Sequence, residues 1–200
     1  MVGFSAAVLV GGMSRRMGQD KALIEIDGVG LARRAVGVLH AAGASQVKTV
    51  GGMDRGIGVE HIADRYPGEG PLGGLITALN DLSLQGTSRD LVVAVVACDL
   101  PQLSPRSIRT LMASLGEYDA ALARTDRVEP LCAVWRPERV LGTLEAAFAS
   151  GERAIRRALT ELHIVEVPLD GGELVNLNTP DDVQGLRRAT PSGARDTPAN

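Results

Sequence analysis

The chain has 200 residues, 44% hydrophobic and 22% charged, which suits one globular domain with its own core and excludes a disordered chain. A net charge of −3 and an aromatic content of 2% argue against a surface that binds nucleic acid through phosphate contacts or base stacking. Because the longest apolar run, 91–98, is too short to cross a bilayer and no basic signal segment precedes the first apolar stretch, we expect a cytoplasmic protein without a membrane partner.

Apolar, β-branched segments alternate along the chain with longer segments of helical period. This alternation predicts an α/β fold with three layers, in which helices cover both faces of a mostly parallel, Rossmann-like sheet. We predict strands at 5–10, 47–50, 58–62, 91–97, 120–123, 131–135 and 163–167. We predict helices at 31–42, 72–84, 105–115, 137–149, 153–159 and 180–188. Residues 1–189 are expected to form one domain, and the polar residues 190–200 a disordered tail.

A loop rich in glycine and basic residues follows the first predicted strand. It contains Gly11, Gly12, Arg15, Arg16, Gly18 and Lys21. Glycines let the backbone approach a ligand and turn its N–H groups inward, and the cations lie where phosphates would bind, so the loop predicts a polyphosphate site. The pattern is neither a Walker A motif nor the GxGxxG of dinucleotide enzymes. The alternative is a surface loop with solvated arginines.

An aspartate ends the most apolar predicted strand. Asp99 follows the run 92–98, which is typical of a strand buried on both faces, so its carboxylate is expected at the C-terminal edge of the sheet, where ligands of open α/β proteins bind. A carboxylate facing a triphosphate is suited to Mg²⁺. Alternatively, Asp99 caps a helix after Pro101.

Two further segments have a composition typical of ligand contacts. In 64–75, Asp64 begins a turn-rich stretch, and Gly73 and Gly74 open the next helix, where a base or ribose could lie close to the backbone. In 175–181, Asn176 and Asn178 alternate and would present their amides on one side. Tight helix packing and ordinary helix capping are the respective alternatives.

The two cysteines, Cys98 and Cys132, lie within apolar stretches and lack the spacing of metal ligands. Reduced, buried thiols are therefore expected instead of a disulfide or a zinc site.

Together these segments resemble the molybdenum cofactor guanylyltransferase family, within the nucleotide-diphospho-sugar transferase fold. The resemblance covers about residues 4–188 and rests on LVGGMSRRMGQDKAL at 9–23, ADRYPGEGPLGGL at 63–75, ACDLP at 97–101, EPLCAVW at 129–135 and NLNTPDD at 176–182. Val10 stands where the family usually has alanine.

The resemblance implies transfer of GMP from GTP to molybdopterin or the molybdenum cofactor, with release of pyrophosphate. It implies Mg²⁺, with Mn²⁺ as a substitute, and contact with proteins of molybdenum insertion and molybdoenzyme maturation. The implied nucleotide contacts are Leu9, Val10, Gly11, Gly12, Lys21, Asp64 and Asp99. Lys21, Arg15 and Asp99 would carry the catalysis, Asp99 would also bind the metal, and Asn176 and Asn178 would lie near phosphates and metal.

Three alternatives remain open on the sequence. A cytidylyltransferase for the same pterin and a sugar-phosphate nucleotidylyltransferase share the fold, and the base preference depends on backbone contacts near Gly11 and 64–75. A nucleotide-sensing module that binds without reacting is the third, but the presence of both Lys21 and Asp99 argues against it.

Overall fold

A computed structural model describes residues 3–11, 20–85 and 91–189. Nine strands lie in these ranges: β1 (Phe4–Leu9), β2 (Glu25–Ile26), β3 (Val29–Gly30), β4 (Ala44–Val50), β5 (His61–Ile62), β6 (Val93–Ala97), β7 (Ala120–Arg124), β8 (Val128–Trp135) and β9 (Ile164–Pro168). The α-helices are α1 (Leu31–Ala42), α2 (Pro71–Gln85), α3 (Pro105–Ser114), α4 (Pro137–Ala149), α5 (Ile155–Ala158) and α6 (Pro180–Ala189). The predicted tail 190–200 lies outside the described residues.

Seven of the strands form one sheet in the order β5-β4-β1-β6-β8-β7-β9. All of its pairs are parallel except those of β8, which runs antiparallel to both β6 and β7. The chain steps from β1 through β4 to β5 and then returns to the other side of β1 to add β6. This reversal opens a crevice beyond the carboxyl ends of β1 and β6, which is where open α/β sheets bind ligands.

Helices cover both faces of the sheet, as predicted. One core cluster packs α1 and α3 against one face, and a second packs α2, α4 and α5 against the other. Strand β6 contributes to both clusters through alternate residues, which is why its sequence is apolar without a polar face. The predicted three-layer α/β fold with a mostly parallel sheet is confirmed.

Several predicted boundaries differ from the structure for local reasons. The strand predicted at 58–62 is limited to His61–Ile62, because Gly58 has a φ of 96°, outside the extended range. The helix predicted at 153–159 is limited to Ile155–Ala158, because the Glu152 carboxylate accepts hydrogen bonds from the N–H groups of Arg153 and Ala154. A further hairpin, β2–β3, was not predicted; it turns at Asp27 and Gly28, both with positive φ.

Lys48 lies in the middle of β4 with its side chain fully buried. Its ammonium group donates hydrogen bonds to Glu60 Oε1 and Asp81 Oδ2, both at 2.8 Å. Burial lowers the pKa of Lys48, but the hydrogen bonds and charges of Asp81 and Glu60 outweigh this effect, so its pKa lies above the ordinary value. The lysine thus joins α2 and the segment before β5 to the sheet.

Cys98 and Cys132 are both free thiols in the core, as predicted. Burial raises the pKa of each to about 12, and the Asp99 carboxylate adds to the effect at Cys98. Both thiols are therefore protonated at neutral pH. None of the helices in the described ranges is long and apolar enough to cross a membrane.

Candidate active site

Three residues that the sequence predicted separately meet at the crevice between β1 and β6. The Lys21 ammonium group donates hydrogen bonds to Asp99 Oδ2 at 2.7 Å and to Asn178 Oδ1 at 3.0 Å. The Lys21 and Asp99 side chains are 18% and 19% exposed, so the pair is largely shielded from water. A cation, a carboxylate and an amide from distant parts of the chain therefore form one cluster.

Local backbone structure places each member of this cluster. The carboxylate of Asp20 accepts a hydrogen bond from Ala22 N–H and caps the short 3-10 helix Lys21–Leu23, which fixes where Lys21 leaves the glycine-rich loop. Asp99 follows β6, and its carbonyl oxygen accepts a hydrogen bond from Leu177 N–H at 3.0 Å. That backbone bond brings the late asparagine segment against the end of β6.

The alternation predicted for this segment is present. Leu177 is 1% exposed, whereas Asn176 and Asn178 both line a cleft beside the cluster. The Asn178 side chain accepts a hydrogen bond from Lys21, while Asn176 lines the cleft.

Asp99 has a second oxygen that is buried and has no hydrogen-bond partner among the residues that the structure describes. A buried polar atom without a partner is costly and indicates an unfilled contact. A divalent cation is one group that would satisfy it, since Mg²⁺ binds proteins through one or two carboxylates and completes its shell with phosphates and water. No group of three or more His, Cys, Asp or Glu within the described ranges is placed to hold a metal. The buried Asp99 oxygen itself fits a metal ion that is shared with phosphates.

The loops after β1 and β4 approach each other closely at the same edge. A Cβ on Gly51, whose φ is 89°, would lie 3.0 Å from Gly11 Cα, so only glycine fits there. Leu9 and Val10 are buried on opposite faces of the sheet, and their backbone groups bond to Cys98 N–H and to the Val50 carbonyl. Of these three predicted contacts, only Gly11 is exposed.

Arg55 is a site residue that the sequence analysis missed. Its side chain is 10% exposed, and its Nε lies 2.5 Å from Asp20 Oδ2. Its Nη1 donates to the carbonyl oxygens of Met53, at 2.8 Å, and Gly51, at 3.4 Å. Arg55 therefore joins the loop after β4 to the residue before Lys21. The repeated Val-Gly-Gly at 10–12 and 50–52 was the signal that could have drawn attention to this second loop.

Asp64 lies further along the same edge, after β5. Three strand spacings separate β5 from β6, roughly 14 Å, so Asp64 and Asp99 stand at opposite ends of a span that an extended nucleotide could cover. Asp64 Oδ1 accepts a hydrogen bond from Tyr66 N–H and lies 3.1 Å from the buried Thr77 hydroxyl. These contacts orient its carboxylate. Its predicted contact with the guanosine stays a prediction.

Gly12 and Arg15, which the sequence analysis assigned to nucleotide binding and catalysis, lie outside the described residues.

A cleft of about 510 Å³ extends away from Asn178. The turn between β7 and β8 forms one wall through Thr125 and Arg127, and the segment after β9 forms the other through Gly171 and Val175. Glu129, at the start of β8, lines the same cleft and pairs with Arg127 at 2.6 Å. The cleft lies on the side of Asn178 away from Gly11 and Asp64, so the site has two arms that meet at the Lys21–Asp99–Asn178 cluster.

Residues 6–166 match the family described as the MobA-like NTP transferase domain. The chain is a member of this family. As a MobA-like NTP transferase it is a nucleotidyltransferase, which agrees with the two-armed site.

The chain is also similar to curated relatives along nearly its whole length. It is 34% identical to a probable molybdenum cofactor guanylyltransferase from Opitutus terrae, over 92% of this chain and 95% of that one. It is 31% identical to the molybdenum cofactor guanylyltransferase of Xanthomonas euvesicatoria, over 94% and 96% of the two chains. The resemblance inferred from the motifs is thereby confirmed.

Solved structures agree with the fold. The molybdopterin-guanine dinucleotide biosynthesis protein A from Archaeoglobus fulgidus superposes with a TM-score of 0.75 at 26% identity, covering 93% of this MobA-like transferase and 98% of that chain. A 4-diphosphocytidyl-2C-methyl-D-erythritol synthase from Anaerococcus prevotii has the same TM-score at 12% identity, covering 94% and 95% of the two chains. At that identity the second likeness extends to the fold alone.

Proposed function

We propose that this enzyme transfers GMP from GTP to the terminal phosphate of molybdopterin or the molybdenum cofactor, in the cytoplasm, and releases pyrophosphate. The observation that carries the proposal is the Lys21–Asp99–Asn178 cluster at the point where the two arms of the site meet. In the reaction, an oxygen of the acceptor phosphate forms a bond to the α-phosphorus of GTP, and the bond from that phosphorus to the bridging oxygen of pyrophosphate breaks.

The chain supplies positioning and charge for this step. Gly11 and the Gly51 loop offer backbone at the edge where GTP would lie, with the guanosine toward Asp64. The Lys21 ammonium group would donate to phosphate oxygens and offset the negative charge that develops on them. Asn178 would hold Lys21 and present its amide to the same phosphates. Alignment of two phosphates needs no covalent nucleophile from the protein.

We propose Asp99 as the protein ligand of Mg²⁺ or Mn²⁺, because its second oxygen lacks a partner among the described residues and lies beside the phosphate-binding lysine. When bound, the metal ion would neutralise phosphate charge and orient the pyrophosphate leaving group. Asp99 would then serve both the metal and Lys21, one with each carboxylate oxygen.

The cleft beside Asn178 is the proposed binding site of the pterin acceptor. Its walls provide a cation, a carboxylate and amide groups in Arg127, Glu129 and Asn176, which suit a polar ring system that ends in a phosphate. Because the cleft opens from Asn178, an acceptor bound there would carry its phosphate toward Lys21.

Filling this cleft should weaken acceptor binding alone. A Cβ on Gly171 would lie 3.9 Å from Thr125 Cγ2, in ordinary contact, so Gly171→Leu places bulk in the cleft without backbone strain. Because the leucine side chain would occupy space that the acceptor needs, we expect the KM for molybdopterin to rise roughly tenfold, equivalent to about 1.4 kcal/mol of binding free energy, while the KM for GTP stays unchanged. Steady-state assays that vary each substrate measure this.

Gly142→Leu, on the exposed side of α4, is the matched control and should change neither KM. An equal rise in both KM values would contradict the assignment of the cleft.

Pyrophosphate release tests the reaction itself. The purified enzyme is incubated with Mg²⁺, molybdopterin and one of GTP, CTP, ATP or UTP, and the pterin product is identified by mass. We expect release and a guanine dinucleotide with GTP. Release with CTP in place of GTP would contradict the guanylyl assignment, and release that requires a sugar phosphate would contradict the pterin assignment. GTP binding without any release would favour the sensing module.

A further inference from the structure

The C-terminal helix α6 begins immediately beyond the active-site cluster. Thr179 is its N-cap, and its hydroxyl accepts a hydrogen bond from Asp182 N–H at 3.2 Å. In return, Asp182 Oδ2 accepts from Thr179 N–H at 2.8 Å. This reciprocal pair is a capping box with aspartate at its third helical position.

Asp182 makes one more hydrogen bond than a capping box requires. The same Asp182 oxygen accepts a second hydrogen bond, at 2.7 Å, from the N–H of Asn178. Asn178 is the residue whose side chain receives the Lys21 ammonium group. One carboxylate oxygen therefore fixes the backbone on which the Lys21 contact depends.

The far side of α6 is anchored on the segment that follows Lys21. Val183 and Leu186 of α6 pack with Leu177 against Ile24 and Ile26 of the 20–31 region, in a small hydrophobic cluster apart from the two main cores. Contacts therefore run from Lys21 through Asn178 and Asp182 to α6, and from α6 back to Ile24, three residues after Lys21. The backbone hydrogen bond from Leu177 N–H to the Asp99 carbonyl joins these contacts to β6.

We infer that Asp182 is a positioning residue of the active site. Its carboxylate fixes the Asn178 backbone so that the Asn178 side chain contacts Lys21, and α6 packs against the segment that follows the glycine-rich loop. The effect on turnover rests on the proposed function. The hydrogen-bond linkage does not.

The matched control lies one position away. Asp181 is in the same first turn of α6, carries the same charge and is exposed, and within the described ranges no ion pair or hydrogen bond engages its side chain. Replacing either aspartate removes one negative charge from the helix N-terminus, but only replacement of Asp182 releases Asn178.

We expect Asp182→Ala to lower kcat roughly 10- to 100-fold, the range for losing a residue that orients a ligand-binding group. Asp182→Asn, which keeps an acceptor oxygen, should recover part of that loss, and Asp181→Ala should stay within about twofold of wild type, since an exposed charge near a helix N-terminus contributes little. In an Asn178→Ala background, Asp182→Ala should add little further loss, because the two residues act as one unit. The inference would be overturned by near-normal turnover of Asp182→Ala or by equal losses for Asp181→Ala and Asp182→Ala. It would also be overturned if the losses from Asn178→Ala and Asp182→Ala multiplied in the double variant.

Native-state amide exchange by NMR gives a readout that does not depend on catalysis. Because Asp182→Ala removes the carboxylate that accepts from both amides, the Asn178 and Thr179 N–H groups should exchange roughly 10- to 100-fold faster in that variant than in wild type, and less so in Asp182→Asn. Unchanged exchange of both amides in Asp182→Ala would refute the linkage. If Asp182→Ala does not fold, unchanged exchange in Asp182→Asn would refute it instead. A wild-type enzyme that transfers no GMP would refute the proposed function and leave the exchange test intact.

Discussion

Replacing Asp99 with alanine should lower kcat by roughly 10²–10³-fold, the scale seen when one preorganised charge-stabilising group is removed. The reason is that Asp99 has two proposed tasks: one oxygen accepts from Lys21 at 2.7 Å, and the other, which lacks a partner among the described residues, would bind a metal ion. Steady-state turnover of GTP and molybdopterin measures the effect. Asp99→Asn, which keeps the shape and removes the charge, should lose activity on the same scale.

The loss should occur without unfolding. Removing Asp99 breaks a shielded ion pair, which is unfavourable, but it also removes a buried oxygen that lacks a partner in the described part of the chain, which is favourable. We therefore expect the free energy of unfolding to change by less than about 1 kcal/mol, a common pattern where a residue is kept for activity at some expense of stability. Asp181→Ala, which removes an exposed carboxylate near the active site, is the control for the loss of a negative charge. Near-normal turnover in a folded Asp99→Ala variant would contradict both the metal and the phosphate assignments.

The second large effect concerns the stability of the sheet. Removing both carboxylates that pair with Lys48, in Glu60→Ala/Asp81→Ala, should lower the free energy of unfolding by about 3–5 kcal/mol, because a fully buried ammonium group then has no carboxylate partner in the described part of the chain. Chemical denaturation at pH 7 measures this. Asp81→Ala alone should cost more than Glu60→Ala alone, since the Asp81 side chain is 26% exposed and that of Glu60 is 59% exposed.

The matched comparison removes the buried charge instead of its partners. Lys48→Met keeps most of the stem and leaves two carboxylates that can hydrate, so it should cost less than the double variant. The pH dependence has a definite sign: because the pKa of Lys48 is raised, its contribution is fully present below the ordinary value of 10.5 and is lost only as pH rises beyond it. A double variant as stable as wild type would refute this account.

The parts of the fold that could be predicted are those where local chemistry and tertiary structure agree. Strand β6 is apolar throughout, and Ser104 caps α3 one residue before a proline, so both elements were located from the sequence to within a few residues. The position of Asp99 at the C-terminal edge of the sheet could likewise be predicted, and at that edge the structure brings it to Lys21.

What could not be predicted depends on partners far apart in sequence. Lys48 reads as an exposed residue of a strand, and only the positions of Glu60 and Asp81 make its burial tolerable. Arg55 likewise gained its role when the loop after β4 came to lie beside Asp20. The hairpin at Asp27 and Gly28 is different, because Asp-Gly is a strong local turn signal that the sequence itself contains.

The one reversed strand, β8, has a consequence for how such an enzyme can change its acceptor. Because β8 runs against its neighbours, it starts where they end, and the turn that leads into it stands on the active edge instead of the opposite one. The proposed donor half, β5 to β6, and the proposed acceptor half, β8 to β9, are therefore built from separate segments, which meet at the β6–β8 pair and at the Lys21–Asp99–Asn178 cluster. Substitutions at 125–129, in the turn before β8 and at its start, could alter which molecule receives the nucleotide while the proposed contacts to the donor stay in place.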